Sequence, residues 1–354
     1  MLIRMRSRWL KLVALGLLVI GCRQAEIGPV AEQFSGPTMG TIYTVKLVSP
    51  QSGELDLTAL QAIVDKTLEE VNAKMSHYID DSEITRFNEW NSTEPFEVSG
   101  DMLEVLALAR QIGTATEGAF DITVAPLVNA WGFGPPGRAS KTPNANQIEA
   151  LLGDTGWDLL EIDAASSSLR KTHGSLTADL SAIAKGYGVD RVAEALARSG
   201  LENFMVEVGG EVRARGVNPQ GRPWRIGIER PIPGERAIDL VVPLSNLALA
   251  TSGDYRNYYE IEGQRISHTI DPRTGYPITH SVASVSVVHS SCAEADAYAT
   301  GLLVLGSDGF ELAEQLDLAA YFLFRDAGEV FMGRMTTRFK ELLEESERES
   351  MLVQ

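Results

Sequence analysis

The 354-residue chain predicts an α+β fold with mixed helices and antiparallel-rich sheets, on three observations. Helical and strand-like segments mix without the regular spacing of βαβ units. The second half is rich in short β-forming runs bounded by Gly, Pro, Asn and Ser. Gly209-Gly210, which follows one such run, lacks the G-x-G-x-x-G spacing of a doubly wound dinucleotide fold.

The elements follow in order. Thr41 to Val48 is a strand, with Ile42, Tyr43, Val45 and Leu47 as β-formers. Asp56 to Met75 is a helix, because Leu60, Ile63, Val64, Leu68 and Val71 recur on one side. Ser82 caps a short helix leading to Phe87-Asn88. Asp101 to Thr116 is a second long helix. Residues 132–147, rich in Gly, Pro, Asn and Ser, form a loop or insertion, and Ile148 to Leu152 starts a short helix. Leu159 to Ile162 and Ser168 to Lys171 pair as strands. Leu180 to Ser199 is a helix, with Asp179 placed to cap it. Strands are expected at Phe204–Val208, Trp224–Glu229, Ile238–Pro243, Leu247–Thr251, Ala283–Val288 and Ala320–Arg325. Ala293 to Leu305 is a helix with small residues on one side. Residues 336–354 hold a charged amphipathic helix, Thr337 to Glu349.

The N-terminus is a targeting segment. Arg4, Arg6, Arg8 and Lys11 precede an apolar run, Leu12 to Ile20, which is shorter than the roughly 20 residues of a membrane span. Val19-Ile20-Gly21 stand directly before Cys22, as in a bacterial lipoprotein signal. The expectation is a signal peptide at 1–21, lipid on Cys22 and a tether at 22–35; the alternative is an uncleaved anchor with an incidental cysteine. The protein is then exported and anchored at the periplasmic face of the inner or outer membrane. Arg23 and Gln24, in place of an aspartate after the cysteine, favour the outer membrane.

Loss of residues 1–21 takes the formal charge from -17 to -21. So acidic a surface repels nucleic acid and excludes backbone-tracking functions. With Cys22 assigned to lipid, Cys292 has no intramolecular partner and is a buried structural thiol.

Chemistry concentrates near the C-terminus. His268-Thr269-Ile270-Asp271-Pro272-Arg273-Thr274-Gly275 packs a histidine, an aspartate, a proline-fixed turn and a glycine into eight residues. Asp296 and Thr300 are i and i+4, so a helix stacks them on one face. A carboxylate plus a hydroxyl suits Mg²⁺ or Ca²⁺. Thr300 alone is more often a helix threonine bonding back to the backbone. Asp296, among alanines, needs a partner. The five histidines make no zinc-like cluster, and no G-x-S-x-G elbow appears. In DLSAIAKGYGVD, residues 179–190, Lys185 reads either as a solvated helix lysine or as a phosphate counter-charge. Gly186 and Gly188 demand a reason such as close backbone packing. Thr251-Ser252-Gly253-Asp254 offers a hydroxyl-bearing turn, and Tyr78 an aromatic face.

These segments, taken in order from about Gly36 to Phe324, resemble one family, the ApbE-type FAD:protein FMN transferases. The matching pieces are GPTMGTIYTV (36–45), MSHYIDDSEITRFN (75–88), GAFDITVAPLVNAWGF (118–133), DLSAIAKGYGVD (179–190), VEVGGEV (206–212), WRIGIERP (224–231), TSGDYRNYY (251–259), SHTIDPRTG (267–275) and EADAYAT (294–300). The resemblance implies a T-fold-related architecture over residues 36–335, in two intimately packed subdomains. It implies Mg²⁺-dependent transfer of FMN from FAD to a threonine or serine of an acceptor protein, with release of AMP. The implied acceptors are membrane-associated subunits of sodium-pumping NADH:quinone reductases or Rnf-type complexes. The alternatives are an FAD pyrophosphatase giving FMN and AMP, and a non-catalytic flavin-binding lipoprotein. Carried over residue by residue, Asp296, Thr300 and the carbonyl of Ala182 are metal ligands. Met39 and Tyr78 border the isoalloxazine ring. Asp179, Lys185, Gly210, Glu211, Ser252 and Asp254 contact the cofactor. His268 and Asp271 belong to the reactive centre.

Overall fold

The computed structural model describes residues 31–49, 55–137, 142–232, 237–255, 257–261, 264–326 and 330–352. The expected signal peptide, Cys22 and the first part of the tether lie outside them.

The described chain enters through a hairpin. β1 (Ala31–Thr38) pairs with β2 (Thr41–Val48) around Met39 and Gly40, both at positive φ. β1 therefore starts inside the expected tether. Next, α1 (Leu57–Met75) is capped by Asp56, which accepts from the Ala59 N–H, and α2 (Glu83–Glu89) by Ser82. β3 (Phe96–Glu97), β4 (Leu160–Asp163) and β5 (Ser168–Lys171) make a small antiparallel sheet. Between them run α3 (Gly100–Ala115), α4 (Ala125–Ala130) and α5 (Ala145–Leu152). α5 begins three residues before the expected Ile148, because Asn144 and Gln147 close a capping box there.

α6 (Ala184–Arg198) begins four residues later than expected. Asp179 does not cap it: Oδ1 accepts from the Ser181 N–H at 2.8 Å and holds a turn ahead of the helix. β6 (Phe204–Val208) and β7 (Glu211–Arg215) follow, joined at Gly209-Gly210. β8 (Trp224–Glu229) and β9 (Ile238–Leu244) form a separate hairpin. β10 (Leu247–Gly253), β11 (Tyr258–Ile261), β12 (Gln264–Ser267) and β13 (Val282–His289) precede α7 (Cys292–Leu305) and α8 (Ser307–Gln315). β14 (Ala319–Arg325), β15 (Phe331–Met335) and α9 (Thr337–Leu352) complete the order.

One antiparallel sheet organises the molecule, in the order β1-β2-β6-β7-β10-β13-β14-β15. Side-chain alternation sorts its two faces. Tyr43, Val45 and Leu47 of β2, with Phe204, Val206 and Val208 of β6, pack on α1 and α6. Ala320 and Phe322 of β14 point the same way, into a larger cluster with α3 and α7. Met205, Leu249, Val288, Tyr321 and Leu323 point oppositely and are covered by β8, β9 and α9. The charged C-terminal helix is therefore anchored, with Phe339 fully buried and Leu342 nearly so.

Candidate active site

The turn between β6 and β7 and the end of β10 meet the first turns of α6 and α7. A cleft of about 920 Å³ opens at this junction. Ten of the thirteen residues singled out from the sequence line it: Tyr78, Asp179, Ala182, Lys185, Gly210, Glu211, Ser252, His268, Asp296 and Thr300.

Glycine sets the approach of the two helices. A Cβ at Gly186 would stand 2.3 Å from the Cys292 carbonyl oxygen, so only glycine admits this crossing. The Gly186 N–H then reaches across to Asp296 Oδ2 at 3.0 Å. Gly188 is small for a related reason, since a Cβ there would lie 2.9 Å from Met39 Cε. The crossing is locked by Asp190 of α6. Its carboxylate accepts the N–H groups of Cys292 and Ala293 at 3.0 Å, the Ser291 hydroxyl at 2.9 Å and Arg213 Nη1 at 2.5 Å. Asp190, from the middle of α6, thus serves as an external cap at the start of α7 and suits its positive end. Spacing along one strand or helix could not reveal this contact. Cys292 is fully buried, and burial pushes its thiol well above the ordinary range. It is structural, as expected.

Lys185 is not a solvated helix lysine. Its ammonium lies 2.7 Å from Glu211 Oε1 and 3.8 Å from Asp296 Oδ1. Both carboxylates are 3% exposed, and Glu211 Oε2 is buried without a hydrogen-bond partner. Burial pushes both carboxyls up, Glu211 to about 7, while Lys185 pulls them back. The ammonium itself stays protonated: burial lowers it, but Asp296 and Glu211 outweigh that and hold it high. Two carboxylates around one cation leave the cluster short of positive charge.

Thr300 lies one turn beyond Asp296, with its hydroxyl 2.9 Å from the Ser252 hydroxyl. It is a tertiary contact, not a back-bonded helix threonine. Among the described residues no three His, Cys, Asp or Glu side chains form a metal cage. The donors present are the Asp296 carboxylate and the Thr300 hydroxyl, with Ala182 lining the same cleft, beside an orphaned Glu211 oxygen. That set fits a hard divalent cation which keeps water and takes phosphate oxygens, as Mg²⁺ does.

His268 Nδ1 is 2.9 Å from the Asn257 carbonyl oxygen. A carbonyl only accepts, so Nδ1 carries the proton and Nε2 keeps its lone pair. Burial lowers the imidazole pKa; the Asn257 contact and Asp254 raise it, and Lys185 lowers it further, for a net fall below 6.5. The ring stands edge-on to Phe133, which stacks on Tyr259 at 5.0 Å.

Part of the cleft lining is aromatic. Tyr78 is 66% exposed and Phe120 and Phe133 share the wall. His77 Nδ1 is 3.2 Å from Asp179 Oδ1. Burial alone would raise Asp179; the bonds from His77 and Ser181 outweigh it and hold the carboxyl below its ordinary value. Phe120, Asp121, Thr269 and Ile270 line the cleft although sequence reasoning assigned them no role; the first two lie inside the quoted GAFDITV segment.

Three expected site residues are not on the cleft wall. Met39 packs beneath it against Gly188. The Asp254 carboxylate is held by Arg325, at 2.9 and 3.1 Å, and by Arg265 at 3.5 Å. The Asp271 carboxylate is engaged by Arg273, through its backbone N–H, Nε and Nη2, each at 2.9 Å. Through these contacts Asp271 organises the turn that follows His268. Gly275, at φ 77°, closes that turn, where a Cβ would meet Ile148 Cγ2 at 2.5 Å. Trp131 Nε1 donates to the Gly275 carbonyl at 2.8 Å and pins the turn to α4.

Comparison with known proteins agrees with this geometry. The family model described as "ApbE family" matches residues 39–322. The FAD:protein FMN transferase of Vibrio cholerae is 48% identical over 86% of this chain and 90% of its own length. That of Haemophilus influenzae is 43% identical over 95% and 97%. The solved structure of the flavin transferase ApbE from Vibrio cholerae superposes with a TM-score of 0.81 at 44% identity, covering 88% of this chain and 99% of that one. The chain therefore belongs to the ApbE family.

Proposed function

We propose that this protein is an FAD:protein FMN transferase. The observation that carries the reading is the Lys185–Glu211–Asp296 cluster, short of positive charge, in one cleft with His268 and the aromatic faces of Tyr78 and Phe120. The membership of the family and the names of its relatives support the same activity.

The reaction forms one bond and breaks one. The acceptor threonine or serine oxygen attacks the phosphorus of the FMN half of FAD. The bond from that phosphorus to the oxygen bridging to AMP breaks, and AMP leaves. His268 Nε2 takes the hydroxyl proton, which a neutral imidazole held by Nδ1–H is suited to do. Lys185 sets a fixed positive charge beside the diphosphate. Tyr78 and Phe120 offer faces for the isoalloxazine ring, and the His77–Asp179 pair fixes the segment carrying Tyr78. Asp296, Thr300 and the Ala182 carbonyl would hold Mg²⁺, which when bound neutralises diphosphate oxygens. Catalysis is then chiefly positioning and charge compensation.

The basic-apolar-cysteine leader supports export and lipid anchoring through Cys22. A periplasmic acceptor follows, such as the flavinylated subunit of a sodium-pumping NADH:quinone reductase or an Rnf-type complex. The test incubates the purified protein with FAD, Mg²⁺ and the hydrophilic domain of such a reductase subunit, then weighs the intact acceptor. A mass gain of one FMN on a hydroxyl residue, with AMP released, is expected. Release of FMN and AMP with an unchanged acceptor would make the enzyme a pyrophosphatase instead.

A further inference from the structure

The cleft has a second limb that the reacting groups do not occupy. We infer that this limb is the docking groove for the acceptor polypeptide, which lies there as an extended strand along the free edge of β8. The inference rests on the transferase reading above.

The floor is the sheet face turned away from the helices. In β2, Tyr43, Val45 and Leu47 are fully buried, so Ile42, Thr44 and Lys46 emerge on the other side. Ile42 is 62% exposed, unusual for a large apolar side chain on a strand that is interior to its sheet. Glu207 of β6, cross-strand to Thr44, continues the floor. The wall is β8. All five residues from Arg225 to Glu229 line the cleft. A strand showing a face would contribute every second residue, so this wall is a strand edge. Among the described residues β8 pairs with β9 alone. From Arg225 to Ile228 its outer edge offers a row of backbone N–H and C=O groups, the template that a peptide completes by strand addition.

The chemistry of the limb favours a peptide over the flavin ring. None of the lining residues named here is aromatic, whereas Tyr78 and Phe120 line the same cleft outside this limb. The limb runs into the Gly209–Gly210–Glu211 turn, so a bound strand would deliver a hydroxyl to the cluster. Lys46 and Arg225 form no ion pair among the described residues, in a chain whose formal charge is -17. They would receive acidic side chains flanking the target hydroxyl.

The test compares wild type with the double variant Lys46→Glu/Arg225→Glu, using the reductase-subunit domain as acceptor. Both positions are at the surface, and circular dichroism checks folding. KM for the acceptor should rise about tenfold, the scale of two partly exposed ion pairs reversed. FAD affinity, read by fluorescence quenching, should stay unchanged. Amides 225–228 should gain hydrogen-exchange protection when acceptor is added to the wild type. An unchanged KM with no protection overturns the groove. A fall in FAD affinity overturns it too, assigning the limb to the adenosine half of FAD. A wild type that forms no adduct on the acceptor sinks the transferase reading itself, and the groove with it.

Discussion

Two buried charge clusters flank His268, built from the same kinds of side chain in opposite proportion. In one, a single ammonium, Lys185, lies between Glu211 and Asp296. In the other, a single carboxylate, Asp254, lies between Arg265 and Arg325. The first borders the cleft and leaves Glu211 Oε2 without a partner. The second is off the cleft and ties the end of β10 to β12 and β14. Buried charge is costly unless it is matched. A cluster deficient in positive charge invites a cation, whereas a carboxylate gripped by two guanidiniums is already matched and works as a clamp. Conspicuous acids are therefore not equivalent: neighbours of opposite sign decide which one meets a ligand.

The sharpest way to break this comparison is to remove one acid from each cluster. Asp296→Ala leaves Lys185 and Glu211 as a matched pair, so the chain should still fold. Mg²⁺-dependent FMN transfer should fall by roughly 10³-fold, about 4 kcal/mol of transition-state stabilisation. Intact-mass assays beside a thermal melt separate the two effects, and unaltered turnover would remove Asp296 from the metal site. Asp254→Ala should do the reverse. It leaves two guanidiniums facing each other in a buried setting and should cost about 3 kcal/mol of stability. FAD affinity measured well below the melting temperature should remain near that of wild type. A loss of FAD binding without a loss of stability would place Asp254 among the cofactor contacts after all.

His268 feels both clusters, because Asp254 raises its pKa and Lys185 lowers it, on top of the dominant effect of burial. The net shift is downward, so the ring is neutral at pH 7 and gains its proton only below the ordinary 6.5 of histidine. As a base it is lost on protonation. The kcat/KM for acceptor should therefore carry an acidic limb from His268 at that lowered value, below any step from Glu211 near 7. His268→Gln should reduce transfer by about 10²-fold and erase the acidic limb. A variant that keeps the limb would move the proton acceptor elsewhere.

Much of this arrangement was legible in the sequence. Period-two and period-3.6 patterns located β2, α1 and α3 nearly to the residue, because each has one buried face, whereas α7, buried on nearly every side, was legible from its run of small and apolar residues. The ordered motifs named the family, and the i, i+4 relation placed Asp296 beside Thr300. What stayed hidden was tertiary. β1 and β15 are edge strands with much exposed surface, so their pattern is weak. Asp179 looked like a helix cap because its type and place suited one, but the turn Leu180–Ile183 intervenes. Asp254 read as a cofactor contact and Asp271 as part of the reactive centre, because sequence alone does not show which arginines their carboxylates meet. For Asp254 these lie 11 and 71 positions away. The role of Asp190 likewise depends on bonds across 101 to 103 positions.

The smallest expected effect is also the cleanest test of the charge argument, since it requires no turnover. If the Lys185 cluster lacks positive charge, Mg²⁺ should bind the folded chain even without FAD. Binding to the folded state alone stabilises it by RT ln(1 + [L]/Kd), about 1.4 kcal/mol at tenfold excess over Kd. That is a rise of a few degrees in the melting temperature for a chain of this size. Asp296→Ala should abolish the rise. Asp254→Ala should melt earlier yet show the same increment, because its clamp does not contact the cation. The two clusters are then separated by one titration: an increment surviving in Asp296→Ala would place the cation elsewhere, and one missing from Asp254→Ala would show that clamp and cluster act as a single network.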